Sequence, residues 1–325
     1  MKRTSRLFLA AALFLHLQLS AQTEEPQQVL TGVYLMNLYD LNLDGHSFYA
    51  DFYVWFKWRG DIDPTKIEFV NAVEKWGMTM EPFEDSILTL SDGWQYQGFR
   101  VEGRFFNPFL LERFPLDKHP LEIHIENPDY ASDVLQYIPD TTSAAVHYRP
   151  ELMLAGWDIL GAALTPVQHS YGTDFGNPDD RASTFSDLVF TFTLTRPLSY
   201  FLLKLLLPLT IVILAAVGAL LFFPSYVDAR ISLPVGSLLT AVFLQQSYSD
   251  ALPDVGYMVL MDKIYLLAYM LIAGVMLRLI LTGNRLRQVK KKELDFAKLK
   301  RRERWMAAGF VFAYLVAILL LVWLS

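Results

Sequence analysis

From residue 196 to its end the chain is dominated by four apolar segments, expected as helices over about 198–223, 228–250, 257–282 and 303–324. A helix needs about 20 residues to cross about 30 Å of hydrocarbon, so the first, third and fourth reach across a bilayer on composition alone. The second is different. "DARISLPVGSLLTAVFLQQSYSDALP" (228–253) keeps Asp, Arg, Ser, Thr and Gln within the same length. It spans a membrane only if those groups avoid lipid, because polar groups left unpaired in hydrocarbon are costly.

Helical spacing sorts that polarity onto one side. Steps of three and four residues from Asp228 lead through Ser232, Gly236, Leu239, Phe243 and Gln246 to Asp250. The rise per residue places the two carboxylates about 33 Å apart, near opposite faces of a bilayer. Several copies around a rotation axis turn the stripe into stacked rings, acidic at the ends and apolar at Leu239 and Phe243. Spacing alone equally allows an internal helix with acidic flanks, whose Ser and Gln pair with neighbouring helices. Pro234 also removes a hydrogen bond from the backbone ladder at the inner end.

The first half has the opposite chemistry. Residues 1–21, "MKRTSRLFLAAALFLHLQLSA", have the basic start, apolar run and small-residue end of a signal peptide. Residues 22–195 then hold 10 basic and 27 acidic residues, against 15 and 7 from 196 onward, and the chain has no cysteine. An exported region without disulfides must hold together by core packing. "FYADFYVWFKW" (48–58), "LEIHIEN" (121–127) and "LVFTFTLT" (188–195) alternate with period two, and turn signals such as "LDG" (43–45) and "NPDD" (177–180) separate such runs. A β-sandwich of immunoglobulin-like kind is expected over 22–195, with a four-helix membrane domain over 196–325. The link 283–302 is dense in Lys and Arg, which puts it in the cytoplasm, and the β domain and the C-terminus on the outer side.

No G-x-S-x-G, H-E-x-x-H, P-loop or dinucleotide glycine pattern occurs, and no enzyme is expected. The order of parts resembles the pentameric ligand-gated ion channels, the Cys-loop receptor superfamily, in its bacterial branch that lacks the loop disulfide. The resemblance rests on "RFPLDKHPLEI" (113–123), "IEFVNAVE" (67–74), "GWDI" (156–159), "TRPLSYF" (195–201) and "DALPDVGY" (250–257), in that family's sequence of landmarks. Arg230 then matches the basic residue that opens the family's pore helix, and Leu239 its gate leucine. Ala229 departs from the glutamate of animal cation channels, leaving Asp228 to carry selectivity.

The resemblance implies a homopentamer in a bacterial inner membrane, with the β domain in the periplasm, membrane lipid around it and monovalent cations passing along the axis. It implies a coupling set of Asp44, Pro115, Asp117, Arg196 and Pro253, with Arg196 beside both Asp117 and Asp44. It also implies an aromatic agonist box drawn from Phe69, Tyr130, Tyr171, Phe175 and Phe185. Aromatic faces in an acidic domain favour an amine-like agonist. Protons are the rival stimulus, through the many carboxylates and His46, His119, His124, His147 and His169. No cofactor and no nucleic acid is expected, and the acidic loops leave modulation by Ca²⁺ open without an EF-hand pattern. The alternative is a non-conducting sensor whose helices only anchor a ligand-binding β domain, in which the polar stripe has no purpose.

Overall fold

The structure is a computed structural model, described here for residues 25–143, 146–173, 175–176, 184–288 and 296–324. The expected signal peptide and the "NPDD" hairpin tip lie outside the described residues.

The first sheet contains β1 (Gln27–Asn42), β2 (Ser47–Trp58), β4 (Thr79–Pro82), β5 (Leu88–Thr89), β6 (Gln95–Phe106), β8 (Leu135–Pro139) and β9 (Val146–Tyr148). Its order is β4-β6-β2-β1-β8, with β5 on β6 and β9 on β1. The second runs β10-β11-β7-β3 and contains β3 (Glu68–Phe69), β7 (Lys118–Glu126), β10 (Asp158–Ser170) and β11 (Thr184–Thr195). Alternation sends one face of each strand inward. Phe48, Ala50, Phe52, Val54, Phe56 and Trp58 of β2 are buried against Leu121, Ile123 and Ile125 of β7 and Leu188, Phe190, Phe192 and Leu194 of β11. The two sheets therefore share one core.

On the outer face of the first sheet, Trp55 lies across Gly32, its partner in the β1–β2 register. A Cβ at position 32 would fall 2.0 Å from the indole, so only glycine admits the ring. The indole Nε1 donates to Asp140 Oδ2 at 3.0 Å, and Lys57 Nζ stands 3.0 Å from the same oxygen. Burial opposes ionisation of Asp140, but hydrogen bonds from Thr142, Trp55 and Lys57 prevail and hold its carboxyl at about 2.

Four helices follow: α1 (Tyr200–Gly218), α2 (Val227–Ser249), α3 (Leu260–Gln288) and α4 (Phe296–Leu324). All four are long and apolar enough to cross a membrane, and α2 is the least apolar. Their limits differ from the sequence expectation in three places. α1 stops at Gly218 and not at 223, because the chain tightens into turns ahead of Pro224. α3 begins at Leu260 and not at 257, where the Asp262 carboxylate reaches back to accept from the Val259 amide at 3.1 Å. The described parts of the basic link expected over 283–302 are helical: α3 continues to Gln288 and α4 already starts at Phe296, in keeping with the helix propensity of Lys, Arg and Glu.

The helices pack on Leu209 and Ile213 of α1, Ala241 of α2, Ile264, Ala268 and Ile272 of α3, and Tyr314 and Ile318 of α4. Two residues of the loop between β6 and β7, Leu111 and Phe114, belong to this cluster and not to the β core.

Candidate functional site

The stripe of α2 lies on one side of the helix bundle. Asp228, Ser232, Gly236, Leu239, Phe243, Gln246 and Asp250 are all exposed on the chain, Leu239 at 58% and Phe243 at 65%. The opposite face, Arg230, Pro234, Ser237, Ala241 and Tyr248, is buried against the bundle. The helix runs through Pro234 without a break. Ser232 Oγ donates to the Asp228 carbonyl and Thr240 Oγ1 to that of Gly236 at 2.9 Å, which satisfies these hydroxyls within the helix. Asp228 occupies the first turn, where the helix dipole favours an anion. At the other end Gln246 Nε2 donates to Asp250 Oδ1 at 2.6 Å.

Arg230 has a role that spacing did not reveal. Its Nη2 donates to Glu303 Oε2 at 2.7 Å and its Nε to the Ala219 carbonyl at 3.2 Å, and both side chains of the ion pair are buried. The N-terminal end of α2 is thus fixed to α4 by a charge pair spanning 73 residues of sequence.

The residues expected to couple the two domains divide into two groups. Arg196 Nε stands 3.3 Å from Asp117 Oδ1 and 3.4 Å from Oδ2, with the hydrogen bond directed to Oδ2. Its guanidinium lies 4.2 Å from the Trp157 ring centroid and 4.9 Å from that of Phe114, a stacked arrangement that only Arg makes well. His119 Nε2 meets Asp117 Oδ2 at 2.5 Å, and the His119 ring packs edge-on against Trp157. Asp44 does not join this cluster. Among the described residues no ion pair links it to Arg196; it lines a polar cleft with Asp40, Asp250, Pro253 and Asp254 instead. The expected triad fails because the β1–β2 turn reaches the end of α2, while Arg196 is covered by Trp157 and the Phe114 loop.

Pro115 follows Phe114 in that loop through a cis peptide bond. Beside it, Phe114 enters the helix bundle and stacks on Tyr248 of α2, with ring centroids 6.2 Å apart. The Tyr248 hydroxyl hydrogen-bonds to Asp262, the residue that caps α3. Glu112 supplies its carbonyl to the Leu260 amide at 2.9 Å, and the Leu111 amide donates to the Tyr257 hydroxyl at 3.1 Å. One loop of the β domain therefore touches the C-terminal end of α2 and the start of α3 at once. Tyr248 and Tyr257 were absent from the expected set, although Tyr257 closes the "DALPDVGY" stretch and Tyr248 lies at the end of an apolar segment.

The aromatic set divides too. Tyr171 packs edge-on against Phe175 at 5.3 Å and Phe185 at 5.9 Å, and its hydroxyl donates to Glu126 Oε2 at 2.8 Å. Tyr130 is partly buried against the β core, its amide donating to Asn127 Oδ1 at 3.1 Å. Phe69 is withdrawn from the box: it is buried in the core, edge-on to Phe52 and Phe105, because β3 pairs with β7 and turns it inward. Glu126 was missed, although its alternation with Glu122 and His124 marks the outward face of β7.

No family model matches the chain.

Proposed function

We propose that the chain is the subunit of a pentameric, cation-selective channel opened by a small amine-like ligand. One observation carries the reading: a stripe with a carboxylate at each end lies exposed along α2, on the side away from Arg230, Pro234, Ser237, Ala241 and Tyr248, which are buried against the helix's own bundle. In a bilayer such a face is stable against water or other copies of itself and not against lipid. Five copies would close it into a pore, with Asp228 and Asp250 attracting cations at the mouths and Leu239 and Phe243 forming an apolar constriction.

The supporting geometry lies above the stripe. Tyr171, Phe175 and Phe185 beside the carboxylate of Glu126 offer a ring faces-and-anion environment suited to an ammonium group. Strand β11 leads directly from Phe185 to Arg196, whose partners Asp117 and Phe114 sit in the loop that grips α2 and α3. Movement at the aromatic group has a short path to the constriction.

The test is recording from purified protein in liposomes, with primary amines and pH stepped separately and asymmetric NaCl setting the reversal potential. Amine-evoked currents reversing near the sodium potential are expected. Reversal near the chloride potential removes cation selectivity, and silence under every condition removes the channel reading in favour of an anchored sensor.

A further inference from the structure

We propose that Glu126, Asp187 and His169 form a binding site for a divalent transition-metal ion of the zinc class. The three lie on the outward face of the β10-β11-β7 sheet. Asp187 of β11 is the register partner of Glu126 of β7, and His169 of β10 pairs with Phe185, two residues before Asp187. Each contributes one ligand atom, and these atoms all lie within 4.8 Å of one another.

Burial makes the cluster more than a group of surface acids. The side chains of Glu126 and Asp187 are 5% and 4% exposed. Asp187 Oδ2 accepts from His124 Nδ1 at 2.6 Å, but its Oδ1 is buried without a hydrogen-bond partner among the described residues. A buried carboxylate oxygen left unpaired beside a second buried carboxylate is unfavourable unless a cation joins them. His169 Nδ1 meets Glu126 Oε1 at 2.5 Å, which brings an imidazole nitrogen to the same point.

The donor set selects the ion. One imidazole with two carboxylates suits zinc and its neighbours, whereas Ca²⁺ and Mg²⁺ favour oxygen ligands throughout. Zinc–ligand bonds of about 2.0–2.2 Å place tetrahedral ligand atoms about 3.3–3.6 Å apart, so small side-chain rotations close the site. Both carboxylates are already held by an outer partner, Glu126 by the Tyr171 hydroxyl at 2.8 Å and Asp187 by His124, the arrangement that orients metal ligands. A groove of about 460 Å³, lined by Glu122, His124, Val167 and Thr191 among others, reaches the cluster and leaves room for a water as fourth ligand.

The site does not depend on the channel reading, and its test uses no current. Tag-free, full-length protein in detergent is titrated with ZnCl₂ in a calorimeter. One ion per chain is expected, with affinity reduced at least about tenfold by His169→Ala and by Glu126→Gln, and unchanged by Glu81→Gln at an exposed position of β4 in the other sheet. Excess CaCl₂ should leave the zinc isotherm in place. Thermal melts without zinc verify that each variant is folded; should Glu126→Gln fail to fold, His169→Gln, at a partly exposed position, takes its place. Absence of zinc binding by the wild type, an unchanged isotherm in the folded His169 variants, or equal displacement by calcium overturns the proposal.

Discussion

The ring of Phe114, carried by the β domain, lies on the ring of Tyr248 in α2, with centroids 6.2 Å apart and planes inclined by 19°. Tyr248 in turn stacks on Tyr265 of α3 at 5.3 Å. The column joins three segments remote in sequence through contacts that need close packing on both sides.

Phe114→Ala removes the first ring of that column. Truncating a buried phenylalanine costs about 3–5 kcal/mol where the cavity does not collapse, so a clear fall in melting temperature is expected. In the proposed channel the variant should still bind amine but open poorly. Ligand binding measured beside evoked current checks this: equal loss of both would reduce Phe114 to a stability role.

Arg196 is held by a planar stack and one carboxylate, which separates charge from shape. Arg196→Lys keeps the charge but loses the face against Trp157 and Phe114. Both Arg196→Lys and Arg196→Ala are expected to uncouple binding from opening, the alanine variant more completely. Normal agonist-evoked currents in Arg196→Ala would remove the coupling role.

Two substitutions address the exposed face of α2. Leu239→Ser should ease opening by wetting the constriction, shifting the agonist response to lower concentration. Asp228→Ala should move the reversal potential in asymmetric NaCl toward zero. Wild-type behaviour in both would mean that this face does not line a pore.

The pair Arg230–Glu303 is buried between α2 and α4. Removing one partner of such a pair leaves an uncompensated charge and costs about 3–5 kcal/mol, whereas replacing both by apolar residues is close to neutral. Glu303→Gln alone should lower the melting temperature, and Arg230→Met combined with Glu303→Leu should recover most of it. Additive losses in the double variant would contradict the pairing.

Asp140 sets an acid limit on the β domain. Its carboxyl titrates at about 2 in the folded chain, below the ordinary 3.8. The stabilisation is therefore fully present above about pH 4 and fades as pH falls toward 2, and it is on the order of 2 kcal/mol. Asp140→Asn should remove that amount at neutral pH and flatten the acid side of the stability profile, as followed by tryptophan fluorescence during unfolding.

Much of the fold was legible where a long element repeats its period. The inward residues of β2 and β11 follow from alternation over twelve-residue strands, and the exposed side of α2 follows from steps of three and four. Phe69 was not legible: β3 contains two residues, too few for a period, and its direction is set by pairing with β7. The split between Asp44 and Arg196 is likewise a matter of where loops dock, which no local pattern encodes. Glu126, Asp187 and His169 lie on three strands, so only the register brings them together.

Leu111 and Phe114 sit in the core of a domain other than the one that carries them. The boundary near residue 196 is therefore a point where the chain crosses over, not a seam along which the protein divides. Anyone grafting this β domain onto a foreign membrane region would have to transplant the socket as well, Tyr248, Tyr257 and the start of α3 at Leu260. The exchangeable module is the plug together with its receptacle.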